Sequence, residues 1–433
     1  MTLPEYHTVE VRVLIVAENA SLKFGGEAAL PVHYYRILRQ RNIPTWLVVH
    51  ARTRDELSAL FPEDHERIFY VADTTPHRLL WRLSKYMPRR LANFTIEFIM
   101  RLMTQSAQRK VIRRLIRTHQ VSVIHQPIPV SPKEPSMIFG LGVPVIIGPM
   151  NGGMDYPPAF RKLQSTVERA ALFALRRLSN ALNRLMPGKR KAAMLLVANE
   201  RTRAALPDGV CARVATIVEN GVDLSLWKGS RPPDDRSSSR AVRFVFVGRL
   251  VDWKAVDMLL MAFQRAATET PMSLSIIGDG IERASLEKMA TDMGSLGQGD
   301  NESGKVRFYG WMSQAECAVR LRECDALVLP SLLECGGAVV LEAMAMEIPV
   351  IATAWGGPAD YLDPSCGILV EPTSREAFVD NLALALARLA KHPQERMAMG
   401  KAGRSKVLKQ FDWNAKVDSV FELYRDVIEN PSI

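Results

Sequence analysis

The sequence predicts an α/β protein with two domains, each built on a doubly wound parallel sheet. In both halves of the chain, buried apolar runs typical of strands alternate with amphipathic helical segments, which is the pattern of parallel sheets. At 433 residues, with 47% apolar and 24% charged residues, the chain is long enough to bury two cores. The polar stretch KGSRPPDDRSSSR has no hydrophobic periodicity and separates the two halves. We therefore expect a first domain over 1–228, a linker over 229–240 and a second domain over 241–412.

The first half opens with a strand, a glycine loop and a helix. VEVRVLIVAE (9–18) predicts the strand, Gly25-Gly26 lies in the loop, and the helix runs from Leu30 to Arg41. The glycine pair lacks the three spaced glycines of a dinucleotide fingerprint, so taken alone it predicts a turn.

Two later strands of the first half lead into polar or glycine-rich positions. VSVIHQPIPVSP (121–132) ends a strand at His125 before a proline-stiffened loop, and a histidine there is either structural or functional. VPVIIGPMNGGMDYPPAF (143–160) places Asn151-Gly152-Gly153 after another strand.

The second half places basic residues directly after a strand. RFVFVGRLVDWKAVDMLLMAF (243–263) gives a buried strand that ends at Gly248-Arg249, a short loop with Lys254, and an amphipathic helix. An Arg fork and a Lys point charge at the carboxyl end of a parallel strand are suited to a diphosphate. Further strands are predicted within 274–290 and 306–324 and over 326–331.

Two glutamates separated by seven residues mark the most informative segment, residues 332–362. Glu334 precedes Gly336-Gly337, and Glu342 lies in the helical run AVVLEAMAM. A loop that feeds a helix N-terminus offers free amide groups and a favourable dipole to phosphate. Because a carboxylate only accepts hydrogen bonds, two of them beside a phosphate site predict a hydroxyl-rich ligand, such as a nucleotide sugar.

Through residues 243–372 the order and spacing of these motifs closely resemble the retaining family 4 glycosyltransferases of the GT-B fold. The resemblance implies two Rossmann-like domains that face each other across a cleft, with the donor on the second domain and the acceptor on the first. It also implies that the last helix, about 413–428, returns to the first domain.

The resemblance also implies roles for matching residues. Arg249 and Lys254 match the pair that binds the donor diphosphate and stabilises the departing phosphate, Glu334 matches the contact to the donor-sugar hydroxyls, and Glu342 matches the ribose ligand. The remaining donor-side positions are Gly248, the amides of Gly336, Gly337 and Ala338, the backbone of Tyr309 and Gly310 for the base, and Gly25 and Gly26 as a loop over the phosphates. In related enzymes a histidine at the position of His125 approaches the reaction centre, and Asn151-Gly152-Gly153 is expected to line the acceptor side. The chain departs from the family at Cys335-Gly336-Gly337, where a small residue, Phe and Gly are usual, so the shape of the sugar pocket is an open question.

Basic residues are concentrated in two segments of a chain whose net charge is +10. Residues 76–118 contain eleven Lys/Arg and one acid, and residues 157–203 contain eleven and two. Helices over 78–117 and 160–191 with these charges are either ordinary packing helices or surfaces for an anionic membrane. No zinc-finger spacing or aromatic ribonucleoprotein motif accompanies them, so nucleic acid is not expected as a partner.

The remaining sequence features predict a cytoplasmic enzyme without a metal or other cofactor. There is no secretory signal, no apolar run of membrane-spanning length, and no metal-binding or disulfide spacing among the five cysteines. Asp-x-Asp, which holds a cation in metal-dependent glycosyltransferases, is also missing. We expect transfer of a hexose from a nucleotide-sugar donor to a lipid-linked or saccharide acceptor in cell-surface polysaccharide or glycolipid assembly. The alternatives are a nucleotide-sugar epimerase and a non-catalytic nucleotide-sugar-binding subunit.

Overall fold

The computed structural model describes residues 10–84, 96, 98–163, 177–229, 241–299 and 302–431, and these form two compact units. The first unit contains the described residues up to Gly153, those from 177 to Asn220, and those from Trp413 onward. The second contains residues 154–163 and the described residues of Gly221–Asp412. Apart from Gly229, the predicted linker over 229–240 lies outside the described residues.

A seven-stranded parallel sheet forms the centre of the first unit, in the order β3-β2-β1-β4-β5-β6-β7. Its strands are β1 (Val13–Val16), β2 (Thr45–His50), β3 (Ile68–Val71), β4 (Val123–Gln126), β5 (Val145–Met150), β6 (Met194–Val197) and β7 (Val214–Thr216). Its helices are α1 (Gly26–Gln40), α2 (Arg54–Leu60), α3 (Thr75–Ser84), α4 (Phe98–His119) and α5 (Glu200–Ala204), followed at the end of the chain by the return helix Trp413–Glu429. Residues 177–185 are also helical.

Both faces of this sheet are buried, as continuous apolar strands require. Val13 and Ile15 of β1 pack in one cluster with α1 and the return helix. Leu14 and Val16 point to the opposite face and pack with residues of α4. The alternation of β1 between two apolar layers explains why all four of its residues are buried.

A six-stranded parallel sheet forms the centre of the second unit, in the order β10-β9-β8-β11-β12-β13. Its strands are β8 (Val242–Val247), β9 (Met272–Ile277), β10 (Val306–Gly310), β11 (Ala326–Leu329), β12 (Val350–Thr353) and β13 (Gly367–Val370). Its helices are α6 (Val256–Ala267), α7 (Arg283–Asp292), α8 (Gln314–Arg322), α9 (Ala338–Ala345), α10 (Gly357–Tyr361), α11 (Arg375–Lys391) and α12 (Pro393–Gln410). The return helix of the first unit is then α13.

The order of the strands reverses between β8 and β11, which pair with each other at the middle of the second sheet. A reversal of this kind opens a crevice beyond the carboxyl ends of the two strands, and ligands of open α/β sheets bind there. The loops after β8 and β11 are those that carry the basic pair and the first glutamate.

The predicted fold of two doubly wound parallel-sheet units is confirmed. The boundaries of the compact units differ from the predicted ones in two places, because residues 154–163 and 221–228 group with the second unit. Trp355 donates its indole N–H to the carbonyl of Asp155 at 2.9 Å, and the Phe160 ring lies 6.1 Å from that of Phe378. These contacts cannot be read from local periodicity.

Candidate functional site

The loop after β8 presents the two basic residues at the carboxyl edge of the second sheet. Arg249 follows the strand and is exposed. Lys254 ends a single 3-10 turn, Asp252–Lys254, and Ala255 then adopts a left-handed conformation, φ 52°, before α6 begins. The turn is short, so Arg249 and Lys254 stay close to the end of the strand.

The loop after β11 is attached to the basic loop through the backbone. Leu332 donates its amide to the carbonyl of Trp253 at 2.8 Å, next to Lys254 in the chain. The carbonyl of Glu334 accepts the amide of Gly357 at 2.8 Å, at the start of α10. Glu334 is therefore held between two other loops of the same sheet edge.

The ammonium of Lys254 and the carboxylate of Glu334 form an ion pair across these loops. Their side chains are only 15% and 14% exposed, so the pair is shielded from most of the solvent. The sequence predicted both residues for the site but not their direct contact.

Helix α9 begins immediately after the glycine pair. Gly337 caps it at φ 79°, a left-handed conformation that glycine adopts without strain. The first turn of a helix leaves amide groups without helical partners, and they attract an anion. The apolar helix is buried at Val340, Leu341, Ala343, Met344 and Ala345.

Glu342 is the one acidic residue of α9, and it is partly buried. Burial raises the pKa of its carboxyl group to about 8. Burial also raises the pKa of the Cys317 thiol on α8 to about 11, with a further contribution from the charge of Glu342. A carboxyl group that is costly to ionise in the free protein is suited to hydrogen bonding with a ligand.

The end of β10 supplies the backbone predicted to meet the base. Gly278 donates its amide to the carbonyl of Gly310 at 2.8 Å, which ties the ends of β9 and β10 together. The guanidinium groups of Arg307 and Arg320 lie over the Tyr309 ring, at 4.8 and 4.4 Å from its centroid. Because cations occupy the ring, the backbone of Tyr309 and Gly310 is the part suited to a base.

Gly25 and Gly26 of the first unit are exposed at the N-terminus of α1. Gly25 has φ 102°, which disfavours any residue with a side chain, and the space around both glycines is open. The positive φ of the bend explains why glycine is present at position 25, and the packing around position 26 does not require a glycine there.

His125, for which the resemblance implies a place near the reaction centre, has its contacts within the first unit. The imidazole is fully buried within the first unit, where Nε2 lies 2.6 Å from the carbonyl of Gly148 and Nδ1 lies 2.6 Å from the hydroxyl of Tyr424. A carbonyl can only accept, so Nε2 carries the proton and Nδ1 accepts from Tyr424. Burial lowers the pKa of His125 to about 4, and the neutral ring has no nitrogen left for a substrate.

Asn151-Gly152-Gly153 also makes internal contacts. Asn151 is buried and donates to Glu219 at 2.6 Å, while Gly152 donates its amide to Thr202 at 3.1 Å. The carbonyl of Glu219 in turn accepts from the buried ammonium of Lys416 on α13. Sequence reasoning missed this network, because its members lie far apart in the chain.

A second charged cluster of the first unit was also missed. Arg101 binds both oxygens of Glu134, at 2.7 and 2.6 Å, and lies 3.3 Å from Glu18. The buried ammonium of Lys189 donates to the carbonyls of Ser131 and Pro132 in the same loop as Glu134. Only the isolated acid in SPKEP was a sequence signal for it.

The described residues contain no group of three or more His, Cys, Asp or Glu side chains arranged to hold a metal ion. Within the same residues, none of the helices is long and apolar enough to cross a membrane.

Comparison with known proteins identifies a domain over the candidate site. The family described as "Glycosyl transferases group 1" matches residues 233–406. This range contains Arg249, Lys254, Glu334 and Glu342, so the family match and the site geometry fall on the same segment.

Three curated relatives match part of the chain, and two of them are glycosyltransferases by their names. A GDP-mannose-dependent monoacylated alpha-(1-6)-phosphatidylinositol monomannoside mannosyltransferase of Corynebacterium glutamicum is 29% identical over 45% of this chain and 51% of its own. A D-inositol 3-phosphate glycosyltransferase of Frankia alni is 31% identical over 50% and 54%. An alpha-maltose-1-phosphate synthase of Mycolicibacterium smegmatis is 28% identical over 61% and 67%. The chain thus spans about half the length of the first two.

Solved structures support the fold over nearly the whole chain. HepE from Anabaena in complex with UDP superposes with a TM-score of 0.65 at 16% identity, over 96% of this chain and 100% of the other. Sucrose-phosphate synthase from Thermosynechococcus elongatus superposes with a TM-score of 0.63 at 18% identity, over 96% and 99%. At such identities the likeness concerns the architecture alone.

Proposed function

We propose that this protein is a glycosyltransferase that moves a hexose from a nucleotide-diphosphate sugar to a hydroxyl acceptor, with retention at the anomeric carbon. The ion pair of Lys254 and Glu334 beside the strand-order reversal of the second sheet carries the proposal. Arg249 precedes Lys254 in the same loop, and Glu342 lies on the helix that follows Glu334. These residues lie within the segment that matches the group 1 glycosyl transferases.

In the proposed mechanism the charge that builds up during transfer lies on the departing phosphate oxygens. Arg249, Lys254 and the N-terminus of α9 stabilise that charge, and fixed positive groups at a leaving group lower the barrier. The leaving phosphate itself takes the proton of the acceptor hydroxyl from the same face, so no side-chain base is assigned. His125 is not included, since both its ring nitrogens are already bonded.

Glu334 accepts hydrogen bonds from the donor sugar and Glu342 from the ribose in this proposal, while the backbone of Tyr309 and Gly310 meets the base. No metal is assigned, because Arg249 and Lys254 are both proposed to bind the leaving phosphate when the donor is bound.

We propose a lipid-linked or saccharide acceptor in glycolipid or polysaccharide assembly. Support comes from the names of the relatives, which include a phosphatidylinositol mannoside mannosyltransferase and a D-inositol 3-phosphate glycosyltransferase.

A thermal-shift screen against UDP-, GDP- and ADP-sugars tests the donor site, because a ligand that binds only the folded state raises Tm. We expect one base to raise Tm, and product analysis with acceptor sugars to show an α-configured product from an α-linked donor. Conversion of the donor without any acceptor would indicate an epimerase. Binding without turnover would indicate a non-catalytic subunit, and no shift with any donor would contradict the proposal.

We also propose that the first unit binds peripherally to an anionic membrane on the cytoplasmic side. Support comes from α3, where Leu79, Trp81 and Leu83 are 59%, 54% and 49% exposed beside the exposed Arg78 and Arg82. No Asp or Glu occurs between residues 74 and 96. Exposed apolar side chains flanked by basic ones suit the boundary between headgroups and acyl chains.

Helix α4 adds exposed charge through Lys110, Arg113 and Arg114. Arg109 does not contribute, since it donates to the carbonyl of Phe139 at 2.8 Å and its guanidinium lies 4.6 Å from that ring. Much of the second predicted basic helix, over 160–191, lies outside the described residues.

Vesicle sedimentation tests the membrane proposal. Each basic side chain near an anionic surface contributes about 1 kcal/mol, so reversing Lys110, Arg113 and Arg114 to Glu should abolish pelleting with anionic vesicles. Changing Leu79 and Leu83 to Ser should weaken it, whereas the same change at the exposed Leu384 and Leu408 of the second unit should not. Wild-type protein that ignores anionic vesicles at low salt would contradict the proposal.

A further inference from the structure

Glu334 and Lys254 form an ion pair with each other in the free protein, although each is proposed to bind a different part of the donor. The ammonium contacts the carboxylate directly, and both side chains are about 85% buried. Diphosphate binding therefore has to compete with a carboxylate that already neutralises Lys254.

Backbone hydrogen bonds hold the loops of Lys254 and Glu334 next to each other. The amide of Leu332 binds the carbonyl of Trp253, and the carbonyl of Glu334 binds the amide of Gly357. These bonds fix the loops of Lys254 and Glu334 against each other, so neither residue leaves its partner by a loop movement alone. Arg249, by contrast, is exposed, and no ion pair of its side chain occurs among the described residues.

We propose, on the basis of the proposed function, that Glu334 makes the site select an intact sugar donor over the nucleoside diphosphate left after transfer. When Lys254 turns to the phosphate, the Glu334 carboxylate loses its partner. The hydroxyl groups of a donor sugar replace that partner. A nucleoside diphosphate has no such groups, so it leaves a shielded carboxylate unpaired beside new negative charge.

The physical basis is the cost of an unpaired, partly buried charge. Removing one partner of a shielded ion pair is much more costly than breaking an exposed one. When a donor binds, its sugar hydroxyl groups donate hydrogen bonds to the Glu334 carboxylate. When the sugar is transferred, the carboxylate loses these hydrogen bonds. The return of Lys254 to Glu334 then favours release of the spent nucleotide.

The test compares the Kd of the nucleoside diphosphate with that of the intact donor by calorimetry. The base is the one that raises Tm in the donor screen, among UDP, GDP and ADP. In Glu334→Gln we expect the nucleoside diphosphate to bind about tenfold more tightly, the size of one charge-assisted hydrogen bond, because Lys254 is then free for the phosphate. The intact donor should bind no more tightly than in wild type, since it loses its contact to Glu334.

Two variants separate pairing from general charge repulsion. Glu334→Asp keeps the negative charge but withdraws it from Lys254 by one methylene, so tighter binding of the nucleoside diphosphate should persist in part. Glu371→Gln removes an exposed carboxylate that follows β13 at the same sheet edge, and it should leave both Kd values within about twofold. Thermal melts of each variant confirm that the protein is folded.

Unchanged binding of the nucleoside diphosphate in Glu334→Gln would overturn the inference. Tighter binding in Glu334→Gln with wild-type binding in Glu334→Asp would also overturn it, because repulsion alone would then explain the result. Wild-type protein that binds neither ligand would overturn the proposed function and this inference with it. If wild-type protein binds the donor, and the ratio of the Kd of the nucleoside diphosphate to that of the donor is the same in Glu334→Gln, the inference is overturned and the proposed function is not.

Discussion

Glu342 is the residue at which site chemistry and protein stability oppose each other most directly. Its pKa is raised by burial to about 8, well above the ordinary value of 4.5. At pH below 4.5 the carboxyl is protonated in both the folded and unfolded states. As pH rises from 4.5 to 8 the unfolded chain releases this proton while the folded protein keeps it, so the free energy of unfolding falls.

The change Glu342→Gln should therefore stabilise the free protein more at pH 8 than at pH 5. We expect a gain in the free energy of unfolding on the order of 2 kcal/mol between these pH values, because glutamine cannot ionise. Urea unfolding at both pH values measures it. Glu371→Gln, at an exposed carboxylate, is the matched control, and an equal gain at both pH values would contradict the assigned pKa.

Substitutions of Arg249 and Lys254 should differ in their effect on the thermal stability of the protein, although the two residues share a proposed role. Either change to Ala should lower turnover by about 10²–10³, as expected for one fixed charge-stabilising group. Arg249→Ala should leave Tm unchanged, since Arg249 is exposed. Lys254→Ala should lower Tm, because it leaves the shielded Glu334 without its partner.

Steady-state kinetics and thermal melts of both variants check this prediction. Near-normal turnover in the two variants would contradict the diphosphate site. The ion pair between Lys254 and Glu334, which separates the two variants, was not predicted from the sequence.

At the scale of elements, helix α13 completes the interior of the first unit. Its Tyr424 hydroxyl binds His125 of β4 at 2.6 Å, and the two residues are 299 positions apart in the chain. Tyr34 of α1 packs edge-on against the same imidazole, with 4.7 Å between the ring centroids. The last helix thus belongs to the core that surrounds the first sheet.

Tyr424→Phe should destabilise the protein at neutral pH by about 1–3 kcal/mol, because Nδ1 of the buried His125 loses the hydroxyl that donates to it. Chemical unfolding measures the change. Phe421→Leu, on the same helix but only partly buried, is a suitable control for the loss of ring contacts. A Tyr424→Phe variant with wild-type stability but lost activity would instead favour a functional role for His125.

For the molecule as a whole, we predict that the proposed leaving-group site requires no cation. The basic residues Arg249 and Lys254 and the N-terminus of α9 supply its positive charge within the second unit. Turnover should therefore persist in EDTA without added magnesium or manganese. A strict, reversible cation requirement in an assay of dialysed enzyme would contradict this mechanism, whereas mild stimulation is compatible with relief of product inhibition.

The sequence by itself determined the alternation of strands and helices, the two parallel sheets and the candidate donor residues. These features follow from local periodicity, from glycine positions and from motifs that lie within a few residues of each strand end. Gly337 directly before α9 and Arg249 just after β8 are examples. Each lies next to the end of a helix or strand, so its position follows from the local sequence.

Only the tertiary structure decided which of these side chains already have partners. His125 is buried against Tyr424, Arg109 turns to the carbonyl of Phe139, and Lys254 pairs with Glu334 at a separation of 80 residues. Burial and charge pairing depend on neighbours that are distant in the chain. A residue type in a motif predicts what a side chain can do, and the packed fold determines whether its polar atoms are free to do it.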